Sequence, residues 1–133
     1  MQHIIVDTPG ISISYDFTNQ WLYINWRGMH NQESTRAACA LILDSLSQWP
    51  AAKILNDNTN VTRAALQFTE WGVAWLQDMY AGGLRYLAWV YAKEFDGRQA
   101  SEKLVRLMTH PTVVSFDDID SARKWLSQQK VTL

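Results

Sequence analysis

Three histidines, one cysteine and a run of short polar residues are the groups in this 133-residue chain whose types suit chemistry. His3 lies at the beginning and His110 precedes Pro111, which leaves His30, where a strand hands over to a helix. A histidine acting as general base needs a carboxylate within hydrogen-bond reach to orient its ring. Asp57 is the candidate, so a His30/Asp57 pair would suit a small hydrolase or lyase. Cys39 stands in an Ala-rich helical run, where a free cysteine is more often a small core residue than a thiolate nucleophile. No Gly-x-Ser-x-Gly elbow is present for a serine nucleophile. Gly82-Gly83 lacks dinucleotide-binding spacing and precedes a strand instead of following one. No Cys-x-x-Cys or Cys/His cluster offers zinc ligands. Neither a metal nor a cofactor is expected.

A binding site is the other use of such residues. Ligands of open α/β sheets bind beyond the carboxyl ends of the strands, where loops meet helix N-termini. Those ends carry Met29-His30-Asn31, Asn56-Asp57-Asn58-Thr59, Tyr91-Ala92-Lys93-Glu94 and Phe116-Asp117. His30, Asp57, Thr59 and Lys93 would then converge into a polar pocket for a small anionic ligand, with Arg98 adding charge. The competing role is structural, because Asn, Asp and Thr at such positions cap helices and close turns. An apolar ligand, a lipid included, would instead need an aromatic groove, for which Phe68, Trp71, Trp75 and Tyr91 are the candidates. Core packing is the competing role there.

These residues must be positioned by elements readable from periodicity. Ile11–Asp16 alternates apolar and polar residues, and Leu22, Ile24 and Trp26 share one face of a second strand. Phe17–Gln20 between them suits a hairpin loop, and His3–Val6 supplies an edge strand. Beyond Gly28, Ala38, Leu41, Ile42, Leu46 and Trp49 recur at helical spacing, from a start near Asn31 to a stop at Pro50. Ala52–Leu55 reads as a buried strand and Asn56–Asn60 as a loop. Phe68, Trp71, Gly72, Trp75, Leu76 and Met79 predict a second helix, ended by Gly82-Gly83. Its Glu70 and Asp78 belong to a solvated face. Leu84–Tyr91 is apolar on both faces, as in a strand covered from both sides. Asp96 and Gln99 suggest the start of a third helix bearing Ala100, Leu104, Leu107 and Met108. Thr112–Phe116 is a last strand, and Asp117-Asp118 precedes a last helix facing inward through Ile119, Ala122, Trp125 and Leu126. The order predicts a mixed α/β sheet, begun by an antiparallel hairpin and continued by right-handed crossovers with helices packed on it.

Composition bounds the rest. The 47% apolar and 19% charged content is that of one globular domain over 1–133, with its core over about 11–128. Twelve basic against thirteen acidic residues, with no basic stripe, argue against nucleic acid. No apolar run approaches the roughly 20 residues of a membrane span, and a cytoplasmic location is expected. Of the seven tryptophans, Trp26, Trp49, Trp71, Trp75 and Trp125 fall on inward faces. Trp21 and Tyr23 point away from Leu22 and Ile24, and an outward aromatic pair on a sheet calls for cover by a helix or a partner subunit. A homodimer using Trp21 and Tyr23 is the expectation.

Four stretches, in order, carry a resemblance: Ile24-Asn25-Trp26-Arg27-Gly28, Ile54-Leu55-Asn56-Asp57, Ala81-Gly82-Gly83-Leu84-Arg85, and Val114-Ser115-Phe116-Asp117-Asp118 leading into Ala122-Arg123-Lys124-Trp125-Leu126. Together with the element order over Ile11 to Gln128 they resemble the STAS superfamily (sulphate transporter and anti-sigma-factor antagonist domains), especially its small stand-alone SpoIIAA-like branch. The resemblance implies a regulatory, ligand-binding or protein-interaction module without catalytic activity. It also implies a turn after the Asp-ending strand whose Ser-Gly serine is phosphorylated. This chain departs from that pattern, reading Asn58-Thr59-Asn60-Val61-Thr62-Arg63 after Asp57, with only Thr59 and Thr62 as nearby hydroxyls.

Overall fold

A computed structural model describes residues 1–64, 70–92, 106 and 109–131 of the chain. Six strands form one sheet in the order of the sequence: β1 (Gln2–Asp7), β2 (Ile11–Asp16), β3 (Trp21–His30), β4 (Lys53–Ala64), β5 (Tyr86–Val90) and β6 (Thr112–Phe116). The first three pair antiparallel, and β3 to β6 pair parallel. Helices α1 (Gln32–Gln48), α2 (Glu70–Ala81) and α3 (Ile119–Gln128) complete the described elements. The mixed α/β architecture, hairpin first, is the expected one.

Strand β3 is the seam between the two halves. Its residues alternate strictly, so Leu22, Ile24 and Trp26 enter one core while Trp21 and Tyr23 enter the other. Successive crossovers from β3 to β4 and β4 to β5 step in the same direction, and right-handedness places α1 and α2 on one face. That face buries Ile11, Ile13, Leu22, Ile24, Ile54 and Leu87 against Ile42, Leu46, Leu76 and Met79. Burying each such side chain stabilises the fold by about 1.5–3 kcal/mol. The opposite face packs Leu55, Ala88 and Val90 under Ala122 and Leu126 of α3.

The local signals act as their chemistry requires. In the β2–β3 loop the Asp16 carboxylate accepts hydrogen bonds from the backbone N–H groups of Thr18 and Asn19 and from Asn19 Nδ2. Burial opposes its ionisation, but these donors outweigh burial and lower its pKa. Gln20, with φ of 59°, completes the turn. Helix α1 begins at a capping box: Asn31 Oδ1 accepts from Ser34 N–H at 2.7 Å, and Ser34 Oγ accepts from Asn31 N–H at 2.9 Å. Helix α2 stops in a Schellman arrangement, with Leu84 N–H donating to Met79 O and Gly83 N–H to Tyr80 O. Gly83 has φ of +115°, a conformation that suits glycine. Asp118 caps α3 through Ser121 N–H and Oγ–H, each at 2.8 Å, and these bonds lower its pKa.

Two expectations need correction. Asn56–Asn60 is not a loop: β4 continues through it to Ala64. Its polar side chains find partners across the sheet, and those tertiary bonds override the turn propensity of Asn and Asp. Trp21 is buried at 3% exposure beneath α3, so the chain's own last helix supplies its cover. The expected third helix, with Arg98, and the candidates Phe68 and Lys93 lie outside the described residues.

Candidate functional site

Beyond the last β4–β5 pair, Asp57↔Val90, only β3 and β4 continue among the described residues, pairing from Arg27↔Asn60 to His30↔Ala64. The carboxyl edge of the parallel sheet therefore carries a two-stranded ribbon that projects past β5. Its register shifts twice. Asn25 pairs with Asp57 but Arg27 with Asn60, and Gly28 pairs with Val61 but Met29 with Arg63, so β4 gains a residue at each shift. Such bulges bend a strand and re-aim its side chains, and they concentrate near functional sites. Gly28, with φ of +74°, sits at the second shift.

Asp57 holds the first bulge. Its Oδ1 accepts Thr59 N–H at 3.0 Å and Thr59 Oγ1–H at 2.7 Å, and its Oδ2 accepts the Tyr23 hydroxyl at 2.8 Å. Beside it Asn58 Nδ2 donates to Val90 O at 3.0 Å, tying the bulge to the end of β5. Asn60 Nδ2 donates to Asn25 Oδ1 at 3.0 Å. Burial raises the Tyr23 pKa, as do its hydrogen bond to Asp57 and the charge there. Arg123, 6.0 Å from the Tyr23 ring centroid, opposes that shift.

His30 stands on the other side of the sheet. Its Nε2 lies 2.9 Å from Gly10 O and 3.0 Å from Arg27 O, both acceptors, so Nε2 carries a proton. Its Nδ1 lies 3.1 Å from Ser34 Oγ in the α1 cap, and its ring meets Trp26 edge-on at 5.2 Å. A Cβ on Gly10 would fall 3.1 Å from His30 Cε1, so the β1–β2 turn approaches the ring closely. His30 thus clasps that turn, the end of β3 and the start of α1.

The sequence-derived site divides accordingly. Asp57 and Thr59 bond each other within the bulge, but His30 does not join them. The reason is the pleat: Asp57 bonds Tyr23 on the α3 side, whereas His30 packs on Trp26 on the α1 side. The His30/Asp57 pair required for general-base chemistry is therefore not assembled. Of the aromatic candidates, Trp75 is buried and donates Nε1–H to Cys39 O at 2.9 Å, Tyr91 is buried, and Trp71 is half-buried beneath the Arg36 guanidinium. Cys39 is buried too, and burial pushes its thiol up to about 12. Tyr23 is half-buried, and the reading of Tyr23 as a surface aromatic missed its hydroxyl on Asp57. Alternation places Tyr23 on the α3 face, but the register that brings Asp57 to it is set only by the β3–β4 crossover. Among the described residues no group of acidic, His and Cys side chains could hold a metal, and no helix is long and apolar enough to cross a membrane.

The architecture recurs in solved structures. An uncharacterized protein from Shewanella loihica PV-4 with a SpoIIAA-like fold superposes with a TM-score of 0.57 at 17% identity, covering 93% of this chain and 99% of that one. The anti-sigma factor antagonist SpoIIAA, in its unphosphorylated form, gives 0.52 at 11% identity, covering 97% of this chain and all of that one (100%). No curated protein sequence matches the chain. The sequence profile of the SpoIIAA-like family matches residues 21–127, which contain the seam strand, the bulged ribbon, α1, α2 and α3 up to its last residue. On that match the chain belongs to the SpoIIAA-like family, a STAS-like domain.

Proposed function

We propose that this chain is a non-catalytic regulatory module that acts in the cytoplasm by docking a protein partner on the β3–β4 ribbon. The observation that carries the reading is Met29, an apolar side chain 73% exposed on the projecting ribbon. Exposed Asn31, Gln32 and Thr62 lie close by in the chain or on the paired strand. An unbranched, polarizable side chain at such a place suits an adaptable protein contact. The shared fold with an anti-sigma factor antagonist, a protein that by its name acts on another protein, supports the same reading.

A hydrolase or lyase built on His30 and Asp57 loses its support, because both side chains bond elsewhere on opposite faces. A small-ligand reading has no comparable observation in its favour, since Trp75 and Tyr91 lie within the packed interior. The docking reading is tested with a photo-crosslinking residue at position 29 and, as a control, at the exposed position 127 on α3. A discrete protein conjugate from position 29 alone is expected, and Met29→Asp should abolish co-purification of that protein while leaving the circular dichroism unchanged. Equal conjugates from both positions, or none, would remove the proposal.

A further inference from the structure

The buried imidazole of His30 meets oxygen at both of its nitrogens. Nε2 lies 2.9 Å from Gly10 O and 3.0 Å from Arg27 O, and Nδ1 lies 3.1 Å from Ser34 Oγ. The two carbonyls only accept, so they hold the proton on Nε2, but a hydroxyl can either donate or accept. The direction of the Nδ1 contact therefore depends on whether the ring is neutral or charged.

Ser34 can serve both cases, because its hydroxyl has a second acceptor within reach. Its Oγ accepts Asn31 N–H at 2.9 Å and lies 3.2 Å from Asn31 O. Beside a neutral ring the hydroxyl proton belongs on Nδ1, which would otherwise be a buried acceptor without a donor. Beside a charged ring Nδ1–H donates to Oγ, and the hydroxyl proton turns to Asn31 O. That carbonyl already accepts Thr35 N–H at 3.0 Å, and its two lone pairs can take both donors.

The charged side chains described on the elements around the ring are Asp7 of β1, Arg27 of β3, and Glu33 and Arg36 of α1. Arg27 is paired with Asp7 at 2.8 Å, and Arg36 lies over the Trp71 ring. Glu33 stands in the first turn of α1, where it offsets the positive end of that helix. On β4, Asp57 bonds Tyr23 on the opposite face.

We propose that His30 and Ser34 form a pH-driven relay. Uptake of a proton on Nδ1 reverses the His30–Ser34 hydrogen bond and turns the Ser34 hydroxyl onto Asn31 O, so the first turn of α1 registers the charge of the ring while the clasp on Gly10 and Arg27 stays closed. Histidine is the side chain that ordinarily changes charge between about pH 5 and 8. The relay alters the charge next to Met29 and leaves the shape of the ribbon as it is. It is built from hydrogen bonds within the folded chain, so it stands or falls independently of the proposed docking function.

Nitrogen-15 NMR of the full chain between about pH 8 and pH 5 tests it. At the alkaline end the ring is expected as the Nε2–H tautomer, and at the acid end with both nitrogens protonated. The amides of Asn31, Ser34 and Thr35 should move with the same midpoint as the ring, while the close approach of Gly10 to the ring persists. Ser34→Ala should leave the ring titrating and remove most of the response at Asn31 and Thr35, whereas Ser34→Thr, which retains the hydroxyl, should keep it. Should Ser34→Ala fail to fold, the ring tautomer and the cap amides of the parent chain decide alone. An Nδ1–H tautomer at the alkaline end, a ring that stays neutral until the chain unfolds, loss of the Gly10 contact on protonation, or a cap response undiminished in Ser34→Ala overturns the proposal.

Discussion

Tyr23 and Asp57 lie diagonally on one face of adjacent parallel strands, Tyr23 opposite Leu55 and Asp57 opposite Asn25, and the phenol donates a 2.8 Å hydrogen bond to the carboxylate at the point where β4 leaves β5. The same carboxylate accepts both donors of Thr59, so one side chain closes the bulge and ties it to β3.

Tyr23→Phe should cost about 1.5–3 kcal/mol, the range for a hydrogen bond to a charged group. It should also change the response to alkali. The folded state raises the phenol's pKa, so the Tyr23 contribution is complete below the ordinary phenol value of about 10 and is lost progressively as pH rises above it. Urea unfolding as a function of pH is expected to show a steeper alkaline loss for the parent than for Tyr23→Phe. Equal slopes would contradict the linkage.

Asp57→Asn replaces an acceptor that takes three donors by an amide that must turn one N–H group towards a donor. A destabilisation of about 2 kcal/mol is expected. Amide spectra should place the change at Tyr23 and Thr59–Thr62, with the α1 cap undisturbed. A shift that reached Ser34 instead would mean that the two faces are coupled.

Gly10 and His30 form a second testable pair. A Cβ at position 10 would press on the imidazole, so Gly10→Ala should destabilise by about 1 kcal/mol, within the range for overpacking. The double variant with His30→Ala should recover most of that penalty, giving a coupling energy of about 0.5–1 kcal/mol in a mutant cycle. Strict additivity would show that the turn is held by something other than the ring.

Cys39 is buried, and its thiol is pushed up to about 12 by that burial. At neutral pH in the folded state it should resist alkylation, and labelling should proceed through opening of the α1–α2 packing. The labelling rate should rise with urea in step with unfolding. Fast, urea-independent labelling would place the thiol at the surface.

The sequence made the α1–α2 core and the strand alternation legible, because Ile42, Leu46, Leu76 and Met79 carry helical spacing and Trp21 to Trp26 alternate. Caps were legible for the same local reason: Asn31, Asp118 and Gly83 act within a few residues of themselves. What stayed hidden depends on distant partners. Asn56 has the composition of a loop, yet its Oδ1 accepts the Trp26 indole N–H at 2.8 Å in the interior. His30 stands at the carboxyl end of β3, but Asp57 lies within β4, and alternation from Trp26 and Leu55 puts the two on opposite faces only because β4 continues as a strand through Asn56, where the local sequence reads as a loop. Trp21 was rightly turned away from Leu22, and only the return of the last helix determines what covers it.

The ribbon past Asp57 has a consequence for the way the molecule opens. Among the described residues, Asn60, Val61, Arg63 and Ala64 pair with β3 and have no β5 neighbour, whereas residues 54–57 are laddered on both sides. The amide protons of the ribbon should therefore exchange with solvent through a local fluctuation that spares the rest of the sheet, while those of 54–57 wait for global unfolding. The chain carries at its carboxyl edge a segment that can unzip and re-zip alone, on a scaffold that stays folded while it does so.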